Sequence, residues 1–137
     1  MRDKVLVDTS AWIDFFRRKD PGRHAFVANL LREARAVGAG LIFLELLRGA
    51  KTGKELNVVS RLSETVEMVY QSPATYIHAG KMGYELARKG HILSVVDLAI
   101  AQLAIENGLP LLTFDRHFET IAKSFPLKLL SVPYTTA

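Results

Sequence analysis

An α/β fold with a mainly parallel sheet between helical layers, a three-layer α/β/α sandwich, is the architecture this sequence predicts. Three observations predict it. Short apolar runs alternate with longer helical patterns along the chain, the order that yields parallel strands joined by crossover helices. The first run, residues 4–8 (KVLVD), is apolar and β-branched on consecutive positions, as a strand buried on both faces is. Residues 94–107 are apolar nearly all round, which marks a helix enclosed by the fold.

The elements follow in order. After the strand at 4–8, Ser10 to Arg18 reads as a helix with Trp12, Phe15 and Phe16 on one side, broken at Pro21-Gly22. Arg23 to Val37 is helical by pattern, with Phe26, Leu30, Leu31 and Ala34 at near-helical spacing and Gly38 and Gly40 as its stop. A short apolar piece, Ala39 to Ile42, leads into FLELLRGA, a helix closed by Gly49. Lys54 to Thr65 is a further amphipathic helix and Val66 to Tyr70 a strand. Pro73 opens a helix that runs to about Lys89 and stops at Gly90. The apolar helix 94–107 ends at Gly108, Pro110 to Thr113 is a strand, Asp115 to Lys123 a helix, and Leu127 to Leu130 a last strand. No repeat, low-complexity segment or linker interrupts the series, so residues 1–137 read as one domain.

Composition narrows the classes. With 49% hydrophobic residues the chain carries a full core, and with no cysteine it has no thiolate metal site, Cys nucleophile or disulfide, a usage that fits a reducing cytoplasm. MRDKVLVDTS has charges on both sides of a very short apolar run and does not read as a signal peptide. No stretch reaches the roughly 18–20 apolar residues of a membrane span; the longest, Val95 to Ile105, is interrupted by Asp97 and Gln102. The formal net charge of +4 and pI of about 9.5 favour an anionic partner such as nucleic acid.

Four acids stand apart from the surface charges. Asp8 ends the first strand and Asp115 lies just past the strand at 110–113, so both face the edge where parallel sheets collect ligands. As isolated residues each also suits a helix N-cap. Glu45, in FLELL, has large apolar neighbours on both sides; it is either a rim residue, paired with Arg48 three positions on, or a carboxylate that needs a cation. Asp97, in SVVDLAIAQLAI, completes a Ser94-x-x-Asp97 capping pattern, yet the first turn of that helix can also face the same edge. If the four converge, bare carboxylates repel, and either their pKa values rise or cations neutralise them. Oxygen ligands without Cys or paired His select Mg²⁺ or Mn²⁺ over zinc. The matching chemistry is phosphoryl transfer to water.

VDTSAWIDFF near the start, LELLRGA in the middle, SVVDLAIAQLAIENGLPLLTFD late and RHFETIA after it together resemble the PIN-domain ribonucleases, specifically the toxins of VapBC-type toxin–antitoxin pairs. The resemblance covers nearly the whole chain. It implies an endoribonuclease that cuts single-stranded or loop RNA at an acidic site holding Mg²⁺ or Mn²⁺. Asp8 and Asp97 would be the principal ligands, with Glu45 and Asp115 acting directly or through water. Thr9, Ser10 and Thr113 would orient those acids or waters. It also implies a homodimer in a prokaryotic cytoplasm, without a membrane, and an antitoxin that covers the acidic site. Relatives often carry another acid where His117 stands, and His is also familiar there.

Positive charge should ring the site, and Arg17, Arg48, Lys51 and Arg116 are the RNA-contact candidates, each of which also suits a solvated surface position. If they meet phosphates, RNA binding weakens steeply with salt. Trp12, Phe15 and Phe16 suit packing better than base stacking. The histidines at 24, 78, 91 and 117 show no His-x-x-x-His spacing. A haloacid-dehalogenase phosphatase needs an acid where Ser10 stands, and a receiver domain needs paired early acids and a late lysine, which are not found. The remaining alternative is a catalytically silent PIN-fold module that binds RNA or protein.

Overall fold

A computed structural model describes residues 3–132; the single-domain expectation of 1–137 extends past them at both ends. Five parallel strands form one sheet in the order β3-β2-β1-β4-β5: β1 (Val5–Val7), β2 (Ala36–Ala39), β3 (Glu67–Val69), β4 (Leu111–Leu112) and β5 (Leu129–Leu130). Seven helices connect them: α1 (Thr9–Arg17), α2 (Pro21–Arg32), α3 (Gly40–Arg48), α4 (Gly53–Thr65), α5 (Pro73–Arg88), α6 (Val95–Glu106) and α7 (His117–Ala122). The α/β architecture is the one the sequence predicts.

The core explains the patterns. β1, β2 and β4 are buried at every position, hence their lack of polar alternation. Seven consecutive residues of α6, Leu98 to Ala104, are buried, so its sequence shows no amphipathic stripe. Trp12 is fully buried, with Phe15, Phe16 and Phe43 around it. α5 packs closely on α6 through Gly83, where a Cβ would come within 2.6 Å of Leu98 Cδ1.

One segment corrects the sequence reading. The helix expected over Arg23 to Val37 is α2 followed by a turn and β2. α2 starts earlier, at Pro21, with the Asp20 side chain accepting from the amides of Gly22 and Arg23, so Pro21-Gly22 opens this helix as well as separating it from α1. Ala34, at φ 54°, turns the chain. Val37, expected as helix, and Gly38, expected as a stop, both lie in β2, while Gly40 begins α3. The small residues of AVGA conceal the strand. Gly38 is small because a Cβ there would lie 2.4 Å from Phe43 Cε2 and 3.0 Å from Met68 Sδ.

The topology sets the position of the site. From β1 the chain builds outward through β2 and β3, then returns to place β4 on the other side of β1. The order therefore reverses between β1 and β4, the switch point at which open parallel sheets bind ligands beyond the carboxyl ends of their strands. Val7 pairs with Leu112, so the next residues, Asp8 and Thr113, leave the sheet side by side.

Candidate metal centre at the carboxyl edge of the sheet

Asp8 occupies the N-cap position of α1 but makes no capping hydrogen bond. Its Oδ2 instead accepts from two hydroxyls, Thr113 Oγ1 at 2.8 Å and Ser10 Oγ at 3.0 Å. Those hydroxyls lie 3.1 Å apart, and each also accepts a backbone N–H from the loop after β4: Ser10 Oγ from Phe114 at 2.9 Å, Thr113 Oγ1 from Asp115 at 3.1 Å. Two short polar residues thus fix the carboxylate and the loop that carries Asp115. Asp8 is only 4% exposed, and burial pushes its carboxyl above the ordinary 3.8, opposed by the Thr113 and Ser10 hydroxyls and by the nearby amides of Thr9 and Ser10.

Asp97 sits in the first turn of α6, where Ser94 caps the helix by accepting from the Asp97 amide at 3.0 Å. The capping reading therefore holds for the backbone, while the carboxylate stands at the site. Burial raises its pKa, Ser94 opposes this, and the charges of Asp115, Asp8 and Glu45 raise it further. Of these three acids, Asp115 brings a ligand atom within 4.8 Å of one on Asp97, whereas Asp8 and Glu45 are not part of that cluster. Glu45, half-buried on α3, accepts from Thr9 Oγ1 at 2.7 Å; among the described residues no ion pair joins it to Arg48. Asp115 Oδ1 accepts from the His117 amide at 2.9 Å, so this acid does brace the start of α7.

Asp97, Asp115 and His117 offer ligand atoms that all lie within 4.8 Å of one another. His117, which sequence reasoning left outside the site, has Nδ1 3.1 Å from Asp115 Oδ1 and 4.0 Å from Asp97 Oδ2. The available signal was its place two residues after Asp115 at the start of a helix, where the bend of the chain returns it to the acid.

The cationic candidates divide. Arg17 lines a cavity of about 300 Å³ with Glu45, Phe16, Lys54 and Val58. Arg116 lines another of about 300 Å³ with Thr113, Asp115 and Arg23. Arg48 and Lys51 are exposed and line neither cavity.

A parallel sheet with carboxylates gathered at its switch point defines a class, the α/β domains built around an acidic centre. The PIN-domain family model matches residues 5–124, and the chain belongs to that family, in its VapC-type group. It is 32% identical over 127 residues to Ribonuclease VapC1 of Methanocaldococcus jannaschii, covering 92% of this chain and 86% of that protein. It is 30% identical over 131 residues to Ribonuclease VapC11 of Mycobacterium tuberculosis, covering 93% and 98%. Among solved structures, the DNA-bound VapBC of Salmonella typhimurium superposes with a TM-score of 0.74 at 27% identity, over 94% of this chain and 98% of that one.

Proposed function

We propose that this chain is a Mg²⁺- or Mn²⁺-dependent endoribonuclease and the toxin of a toxin–antitoxin pair. The observation that carries the proposal is the acidic edge where Asp97 and Asp115 bring ligand atoms within 4.8 Å, with Asp8 linked to the Asp115 amide through Thr113 and Glu45 held by Thr9, and with no Lys or Arg within 4.0 Å of any of the four among the described residues. The relatives named as ribonucleases and the VapBC complex of like fold support it.

The residues fit a divalent cation. Burial raises the carboxyl pKa of Asp8 and Asp97, helped at Asp97 by the charges of the other three acids, and ligand atoms of Asp97, Asp115 and His117 lie within 4.8 Å of one another. Asp8 and Asp97 are the principal ligands, and Glu45 and Asp115 complete the site directly or through water. A bound ion would supply positive charge to a phosphate and a more acidic water as nucleophile. The chain's own groups do the positioning. Ser10 and Thr113 hold Asp8 through Oδ2, Thr9 holds Glu45, and the Asp115 and Phe114 amides lock the loop onto those hydroxyls. Arg17 and Arg116, beside Glu45 and Asp115, are placed to meet phosphates of single-stranded or loop RNA; Arg48 and Lys51, both exposed, would attract RNA from the surface. The partner is an antitoxin that covers the acids, the active species is a homodimer, and the setting is a prokaryotic cytoplasm.

The test is cleavage of total bacterial RNA with Mn²⁺, Mg²⁺ or excess chelator, with Asp97→Asn alongside. Metal-dependent cuts leaving 5′-phosphate and 3′-hydroxyl ends, absent from the variant, are expected. Cuts that survive both chelator and substitution would end the carboxylate–metal reading. Metal uptake without turnover would leave a binding module.

A further inference from the structure

We infer that His117 is a nitrogen ligand of this metal site and biases it toward first-row transition ions such as Mn²⁺ and away from Mg²⁺. The inference rests on the metal reading proposed above and assigns it a ligand set that the four acids alone do not have.

The geometry is local and independent of Asp8. The His117 amide donates to Asp115 Oδ1 at 2.9 Å, which anchors the backbone of the first residue of α7 to the acid. The imidazole then stands with Nδ1 3.1 Å from that oxygen and 4.0 Å from Asp97 Oδ2. Two ligands on opposite sides of one ion are about 4.2 Å apart for bond lengths near 2.1 Å. The atoms of Asp97, Asp115 and His117, all within 4.8 Å of one another, therefore close on a single ion with small side-chain rotations. His117 is free to make them, because its side chain is 70% exposed.

The consequence is chemical more than electrostatic. A neutral imidazole adds no charge to a cluster that already holds four carboxylates. It adds a nitrogen donor, which first-row transition ions accept in the Irving–Williams order, Mn²⁺ the least of them, whereas Mg²⁺ favours oxygen and keeps its waters. An acid at the same position would act in the opposite sense, adding charge and oxygen and improving Mg²⁺ binding. The other described histidines do not compete: His24 is stacked on Phe15 and within 3.0 Å of the Phe15 carbonyl oxygen through Nδ1, and His78 and His91 are absent from the cluster.

The experiment is Mn²⁺ binding to the full chain by electron paramagnetic resonance, with electron spin echo modulation to detect directly bound nitrogen and Mg²⁺ affinity by competition. His117→Ala, His117→Asp and Asp97→Asn are compared with the parent; the two His117 changes fall on an exposed ring and leave the fold intact. The parent is expected to show a coupled nitrogen that His117→Ala loses. With it, Mn²⁺ affinity falls about tenfold or more, while Mg²⁺ affinity changes by less than about threefold. His117→Asp lowers the Mn²⁺-to-Mg²⁺ preference. Mn²⁺ that binds the parent and not Asp97→Asn, but without nitrogen coupling, would overturn the role of His117 and leave the metal site standing. No Mn²⁺ binding by the parent would overturn both.

Discussion

Replacing Thr113 by Val tests whether the hydroxyl network carries the site. The exchange keeps the shape and removes one oxygen that donates to Asp8 Oδ2 at 2.8 Å and accepts the Asp115 amide at 3.1 Å. A bond to a charged group contributes about 1.5–3 kcal/mol and a neutral one about 0.5–1.5 kcal/mol. Thr113 is half-exposed, so water recovers part of this, and a net loss of about 2–3 kcal/mol is expected. With unfolding entropy near 2.1 cal/mol/K per residue over 137 residues, the melting temperature of metal-free protein should fall by about 7–10 °C at neutral pH. The loss should also depend on pH with a definite sign. Burial holds the Asp8 carboxyl above its ordinary 3.8, so the native state keeps a proton that the unfolded chain has already released. The stability this group contributes therefore falls as pH rises from the unfolded value through the native one, and is level above that. Thr113 favours the charged carboxylate and limits the fall; its removal lifts the native pKa further. The destabilisation should accordingly be greatest above the native pKa and smaller below about pH 3.8, where Asp8 is neutral in both states. Thermal melts in chelator, parent against variant across pH, measure it. A destabilisation under about 0.5 kcal/mol at neutral pH, or one equal at acid and neutral pH, would refute the assignment of this bond to the charged carboxylate.

Three further outcomes follow from the same geometry. Asp8→Asn should abolish RNA cleavage while leaving the metal-free fold at least as stable as the parent at neutral pH, because the buried charge that burial disfavours is gone; parallel cleavage and melting assays decide this. Mn²⁺ at a hundred times its dissociation constant should stabilise the parent by about 2.7 kcal/mol and Asp97→Asn by much less, read as a metal-dependent shift in melting temperature that chelator reverses. Gly38→Ala should cost about 1–3 kcal/mol in urea denaturation, since its Cβ would meet Phe43 Cε2 at 2.4 Å; an unchanged midpoint would mean that Phe43 gives way freely.

The parts of the fold legible in the sequence are those whose burial leaves a one-dimensional trace. β1 shows as VLV because both faces are covered, and α6 as an unbroken apolar run for the same reason. β2 was illegible because close approach by Phe43 and Met68 selects small residues, and AVGA has weak strand character with helical spacing running into it. The acids were legible through topology. Placing a strand before Asp8 and another before Asp115 was enough to send both to one edge, and the structure adds that the β1/β4 reversal is where they meet. What local sequence reading did not reveal is the division of labour between side chain and backbone. Asp8 stands at a cap position without capping, Asp97 is capped through its amide while its carboxylate faces other charges, and Asp115 does both. His117 carries no paired-histidine signal because its partners are carboxylates, Asp115 two residues before it and Asp97 from the first turn of α6.

The pattern of neutralisation argues for a site kept for an exchangeable ion. The chain carries a net charge of +4, so cations are plentiful, and some acids elsewhere find them: Glu67 pairs with Lys4, Asp14 with Arg23 and Glu33 with Arg35. At the sheet edge the same chain uses hydroxyls. Thr9, Ser10 and Thr113 orient Glu45 and Asp8 without cancelling their charge, and the histidine beside Asp97 and Asp115 is neutral unless protonated. A lysine in place of any of those hydroxyls would bring a counter-charge, but it would remove the bonds that hold Asp8 or Glu45 and fill the place an ion would take. Hydroxyls set the carboxylates in place and leave the repulsion intact.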